Sequence, residues 1–69
     1  MMSEIIFMIE TADEGGFTAS ALGYSIFTEG ETMDELKGNI IDAVKCHFDE
    51  ENLPHVVRLH TVKDEVIAI

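Results

Sequence analysis

Residues 21–36 of the chain read ALGYSIFTEGETMDEL, and this stretch decides the topology. Leu22-Gly23 predicts a tight turn, because glycine adopts positive φ at no steric cost. The run from Tyr24 to Thr28 alternates aromatic and β-branched residues with serine, which is typical of a strand. Thr32, followed by Glu35, forms a capping box that predicts the start of a helix. The stretch therefore predicts a strand end, a turn, a strand and a helix in succession.

The segment upstream predicts a hairpin that leads into this stretch. Residues 3–10 predict a first strand, residues 11–16 a turn rich in acids and glycine, and residues 17–21 a second strand. The apolar residues of the first strand alternate between two faces, one with Ile5, Phe7 and Ile9 and the other with Ile6 and Met8. We expect the helix to cover one face and a second subunit to cover the other.

Downstream, the pattern predicts a helix from Met33 to about Glu50, whose apolar stripe faces the sheet. The stripe contains Met33, Leu36, Ile40, Ile41, Ala43, Val44 and Phe48. Pro54 ends the helical region, residues 56–62 predict a strand, and residues 65–69 a further extended segment after a break at Lys63-Asp64. Whether the last two segments form a hairpin or one bulged strand stays open. The result is an α+β domain of order β-β-β-α-β(β), with one helix packed on an antiparallel or mixed sheet.

Length and composition predict a single domain over residues 1–69, without a separate DNA-binding domain. One cysteine favours a reducing compartment, and the sequence shows neither a signal peptide nor a membrane span, so we expect a cytoplasmic protein. Fourteen acids against four bases give a net charge of −10. That charge argues against direct nucleic-acid binding and suits a basic protein partner, although it also serves solubility alone.

Catalytic chemistry finds little support in the sequence. A two-metal nuclease needs acids that converge from strand centres, and the first strand has none between Ile5 and Ile9. A residual nuclease would have to use Glu10, Asp13 and Asp34. We therefore expect no enzyme and no bound metal or cofactor.

The cysteine and histidines do not suggest a metal site either. Cys46 and His47 are adjacent, so their side chains diverge by about 100° on a helix. His55 and His60 have no spacing that favours tetrahedral zinc. The sequence gives no role to Cys46, to His47 or to Gly38 within the helix.

Four apolar residues are candidates for self-association or partner capture. They are Ile6, Met8, Tyr24 and Phe27. The alternative is that all four pack inside the monomer. With an exposed apolar face in a short chain, we expect a homo-oligomer, a dimer or larger.

Three segments around the opening stretch carry a resemblance to a known family. They are residues 16–19 (GFTA), residues 21–25 (ALGYS) and residues 28–36 (TEGETMDEL), together with the tail of residues 58–67 (RLHTVKDEVI). In these segments the chain resembles the HicB-like antitoxin family, the UPF0150 group of small proteins. The resemblance covers nearly the whole chain, from Ile5 to about Val62.

The resemblance implies a β-β-β-α-β fold similar to part of ribonuclease H, without nuclease residues. It also implies an antitoxin that binds and neutralises HicA, a small basic toxin that cleaves mRNA. The acids expected to meet such a toxin are Glu29, Glu31, Asp34 and Glu35. Many family members add a DNA-binding domain, which is not expected here. Two alternatives to an antitoxin stay open: a self-associating module without a toxin, and a degenerate metal-dependent nuclease.

Overall fold

The computed structural model describes residues 3–62 and 65–69, and in these residues the chain forms four strands, one α-helix and a short 3-10 helix. The elements are β1 (Glu4–Thr11), β2 (Phe17–Ala21), β3 (Phe27–Gly30), α1 (Met33–His47), the 3-10 helix (Glu50–Asn52) and β4 (Val56–Thr61). This is the predicted α+β architecture, with its helix packed on one side of the sheet.

The sheet is mixed and has the strand order β3-β2-β1-β4. Strand β2 pairs antiparallel with both β1 and β3. Strand β4 pairs parallel with β1, with Phe7 opposite Leu59. A parallel pair needs a long crossover connection, and α1 lies in the segment between β3 and β4. The sequence did not distinguish an antiparallel sheet from a mixed one. The parallel pairing of β1 with β4 shows that the sheet is mixed.

The core lies between β1 and α1, as the alternation in the first strand predicts. Ile5, Phe7 and Ile9 are buried on one face of β1, and they meet the buried side chains of the helix. Those helix residues are Leu36, Ile40 and Val44, at the i, i+4, i+8 spacing of one helical face. Ala19 of β2 completes this layer from the neighbouring strand.

The prediction of a strand that begins at Tyr24 is wrong. Residues 22–26 form a loop, closed by a hydrogen bond from the Ala21 N–H to the Ile26 carbonyl at 3.0 Å. Gly23 has the positive φ (83°) that its place in a turn predicts. Ile26 turns its side chain into the core, where it is 7% exposed, and regular pairing begins only at Phe27.

The predicted helix extends beyond the observed C-terminal end, and its predicted apolar stripe includes a residue that is exposed. It ends at His47, because Phe48 adopts an extended backbone and donates its N–H to the Val44 carbonyl at 3.0 Å. Ile41, placed in the buried stripe by its periodicity, is 49% exposed. It shares its helix face with Lys37 beside the edge of the sheet at β4, where no further strand of the described chain covers it.

The last part of the chain departs from regular structure. The parallel pairing of β4 with β1 ends at Thr61, and the Val62 N–H donates to the Ile9 carbonyl at 2.8 Å. The predicted break at Lys63-Asp64 lies outside the described residues. Residues 65–69 are exposed and belong to no strand, so within the described residues they form neither the second strand of a hairpin nor a continuation of β4.

Candidate functional site

An acidic concavity of about 420 Å³ opens where the β1–β2 turn meets the start of α1. Its glutamates come from three places in the sequence: Glu14 in the turn, Glu29 at β3, and Glu31 with Glu35 at the helix start. The pairing of Phe17 with Gly30 brings these segments side by side. No lysine or arginine lies among the lining residues that the structure describes.

Two glycines let the backbones approach closely enough to build this concavity. A Cβ on Gly16, which has φ of 82°, would lie 2.9 Å from the Gly30 carbonyl oxygen. A Cβ on Gly30 would lie 2.7 Å from the Leu36 nitrogen. Real Cβ atoms essentially never approach backbone atoms to such distances. The turn, the end of β3 and the helix start therefore stack only because both positions are glycine.

The N-terminal cap fixes the direction of the helix at the same place. Thr32 Oγ1 accepts a hydrogen bond from the Glu35 N–H at 3.1 Å, as the capping box predicts. The Asn39 side chain donates to the Glu29 carbonyl at 2.8 Å and holds α1 against β3. The positive end of the helix dipole lies beside the acids of the first turn, Asp34 and Glu35.

The structure thus brings together three of the four acids predicted as a partner surface. Glu29, Glu31 and Glu35 line the concavity, whereas Asp34 of the same set does not. Glu14 also lines it, and sequence reasoning did not include that residue. The signal was available in principle, because pairing β2 with β3 carries the β1–β2 turn towards the helix start.

The sheet face opposite α1 carries three of the four apolar residues predicted as an interface. By register, Met8 lies opposite Ser20, and Ser20 opposite Phe27, so these residues form one row across the face. Phe27 is 65% exposed, and Ile6 and Met8 are half-buried. We call Ile6, Met8 and Phe27 the outer apolar face.

One ion pair borders this face at the β4 side. Arg58, which is paired with Ile6 in the register, donates from Nε to Glu4 Oε1. This hydrogen bond, together with the negative charge of Glu4, raises the pKa of the Arg58 guanidinium above its usual value. The Arg58–Glu4 pair places charged side chains beside the outer apolar face.

Tyr24, the fourth predicted interface residue, does not belong to the outer apolar face. It lies in the β2–β3 loop, where its ring meets Phe48 edge-on at a centroid distance of 5.2 Å and His47 at 5.9 Å. His47 therefore has an aromatic contact that its sequence position did not suggest. Cys46 beside it is exposed.

Within residues 3–62 and 65–69, no group of three His, Cys, Asp or Glu residues could hold a metal ion. The acids considered for a residual nuclease, Glu10, Asp13 and Asp34, form no such group there. None of the helices described is long and apolar enough to cross a membrane.

The described chain is a small α+β domain, in which one helix covers one face of a four-stranded mixed sheet and leaves an acidic concavity and an apolar face exposed. It is 47% identical over 66 residues to a UPF0150 protein of Thermotoga maritima, covering 96% of this chain and 93% of that protein. It is 50% identical over 50 residues to a UPF0150 protein of Archaeoglobus fulgidus, covering 72% and 74%. The chain belongs to the UPF0150 family.

No family model and no solved structure matches the chain. The likeness to part of ribonuclease H therefore stays a prediction. The names of the two relatives state no activity.

Proposed function

We propose that this protein is a non-catalytic, cytoplasmic HicB-like antitoxin, which binds a small basic HicA-type toxin and blocks its cleavage of mRNA. The acidic concavity is the observation that carries the proposal. Four glutamates converge there in a chain whose net charge is −10. A surface of this charge fits the Lys and Arg side chains with which a ribonuclease holds phosphates.

The charge also favours rapid capture of such a partner. Opposite potentials on two proteins raise the association rate, and this gain falls as salt screens the charges. At physiological ionic strength the screening length is about 8 Å, so the glutamates act on a partner mainly at short range. A protein that occupies the RNA-binding surface of the toxin needs no catalytic residues of its own.

The proposal requires that the neighbouring reading frame encodes a short basic protein, and the test is to purify that protein together with this chain at low salt. We expect a complex whose association slows as salt rises, and toxin activity on mRNA that this chain inhibits. A Glu14→Gln, Glu31→Gln double variant removes two charges from the concavity. An Asp42→Asn, Glu50→Gln double variant removes two exposed charges elsewhere and serves as the matched control.

The two variants separate a specific site from general acidity. We expect the concavity variant to lower the association rate and the inhibition more than the control. Equal effects of both variants would show that net charge alone acts. Failure to recover any basic protein from the native host at low salt would contradict the antitoxin proposal.

A second candidate is a self-associating module with no toxin, a dimer or larger, and the outer apolar face favours it. Phe27 is 65% exposed there, on the same sheet face as Ile6 and Met8 and separated from Met8 by Ser20 of β2. Covering these side chains would remove apolar surface from water at roughly 25 cal/mol per Å². Light scattering on the isolated protein tests this candidate, with the substitutions given in the Discussion.

A further inference from the structure

Residues 65–69 (EVIAI) are an apolar segment that extends away from the folded layers. Val66 is 93% exposed and Ile67 is 80% exposed, and Ile69 is fully exposed. Residues 65–69 belong to no strand of the sheet. β-branched residues of this kind are typical of strands, and here they contribute nothing to the core of their own chain.

Strand β4 offers a free edge that such a segment can extend. Among the described residues it pairs with β1 on one side and with no strand on the other. Its backbone N–H and C=O groups on that side are open to pairing with another chain. Edge strands of this kind bind added strands through main-chain hydrogen bonds, with alternate side chains placed in pockets.

An apolar groove of about 190 Å³ lies beside this free edge, between β4 and α1. It is lined by Val57 and Leu59 of β4 and by Lys37, Ile40 and Ile41 of the helix. The three helix residues lie at the i, i+3, i+4 spacing of one face. The groove explains why Ile41 is exposed in a single chain: the sheet ends before it reaches this residue.

We propose that residues 65–69 of one copy add as a strand to the free edge of β4 in a second copy, and that two copies exchange these segments reciprocally. Each segment follows its own β4 after a short connection, so a two-fold axis between the copies places each segment antiparallel to the partner's β4. The exchange pairs the free edges of both sheets and covers both grooves.

The side-chain pattern of the segment matches the groove. Successive residues of a strand face opposite sides, so Glu65, Ile67 and Ile69 share one side, away from Val66 and Ala68. With Ile67 in the groove, Glu65 lies on the side that carries Lys37. Opposite charges therefore meet at the rim and apolar side chains meet at the centre, which is the usual anatomy of a stable interface.

A second copy suits the segment better than the same chain does. The Val62 N–H bonds to the Ile9 carbonyl, which keeps the chain alongside β1 beyond the end of β4. A hairpin back to its own β4 would need a reversal at Lys63-Asp64, and this pair lacks the glycine that two-residue hairpin turns strongly favour. The exposure of residues 66, 67 and 69 agrees with a segment whose binding site is on another molecule.

The first test measures the mass of the purified chain alone by light scattering, so its outcome does not depend on the toxin. We expect Ile67→Asp and Ile41→Asp to lower the mass two-fold and Ala68→Asp to leave it unchanged. Ile67→Asp and Ile41→Asp both alter exposed positions, so circular dichroism should show an unchanged helix in each. A wild-type chain that is monomeric at all concentrations, or no loss of mass in either Ile variant, would overturn the proposal.

The second test locates the contact by oxidation in a Cys46→Ser background. A chain that carries both Ile41→Cys and Ile67→Cys should form covalent dimers, and each single variant mixed with the other should form a mixed dimer. Cross-linking within one chain would assign the groove to a hairpin and refute the exchange. A lack of either cross-link would also refute it, because the contact brings these two positions together.

Discussion

Replacing Gly30 with alanine tests whether the close approach of β3 to α1 holds the acidic concavity together. The added Cβ would lie 2.7 Å from the Leu36 nitrogen and 2.9 Å from the Leu36 Cα. Both are backbone atoms of a helix whose Leu36 side chain is fully buried, so no flexible group can move aside. The helix start must shift away from the strand instead.

The cost follows from the size of this overlap. Overpacking of a well-packed region typically costs about 1–3 kcal/mol. A chain of 69 residues at roughly 0.05–0.15 kcal/mol per residue has a total stability of roughly 3–10 kcal/mol. Each kcal/mol shifts the melting temperature of a domain of this size by about 4–8 °C. We expect Gly30→Ala to lower the melting temperature by at least ~4 °C.

Gly38→Ala is the matched control, because it adds the same atom where there is room. A Cβ on Gly38 would meet no atom of the described residues within 4 Å, and Gly38 lies in the middle of α1. Alanine is favoured over glycine in a helix interior by about 1 kcal/mol, so this variant should be more stable than the parent. Both variants are compared by urea and thermal unfolding, followed by circular dichroism at one protein concentration.

A Gly30→Ala variant as stable as the parent would refute the reasoning, because it would show that helix and strand are not held at this distance. A less stable Gly38→Ala variant would show that another molecule lies against Gly38. The second result would give Gly38 a role, which the sequence alone does not supply.

Three further predictions use the same unfolding and light-scattering measurements. Thr32→Ala removes the acceptor of the Glu35 N–H and should lower the free energy of unfolding by about 1 kcal/mol, whereas Thr32→Ser should retain most of that stability. Equal stability of the Ala and Ser variants would argue against the cap. Phe7→Ala empties a fully buried position and should cost about 3–5 kcal/mol, whereas Phe27→Ala, at a 65% exposed site, should change the monomer little. Ile6→Lys or Met8→Lys should lower the mass of any assembly built on the outer apolar face while the helix remains; an unchanged mass in both variants would show that this face is not a subunit contact.

Local sequence patterns correctly predicted the features that depend on residues close together in the chain. The alternation in β1 predicted which side chains reach the core, because a strand has a period of two in any sheet. Thr32 and Glu35 predicted the first turn of α1, because a cap is a contact between residues three apart. These interactions depend on near neighbours along the chain.

The same local reasoning failed at Tyr24 and Ile41. The composition of the β2–β3 segment does not show which of its residues faces the core. In the structure this residue is Ile26, whose carbonyl accepts a hydrogen bond from the Ala21 N–H. Helical periodicity placed Ile41 in the apolar stripe of α1, but the burial of its side chain depends on whether a strand lies beneath it. Each outcome depends on what packs against the residue, which the segment itself does not contain.

The order of the elements, the inward face of β1, the capped start of α1 and the family of the chain can all be read from the sequence. The parallel pairing of β4 with β1 at the sheet edge, and the meeting of Glu14 with Glu31 and Glu35 in one concavity, are visible only in the folded chain. The difference lies in the range of the interactions. Capping and alternation act between close neighbours, whereas the concavity and the free edge arise from strand pairings between residues far apart in the chain.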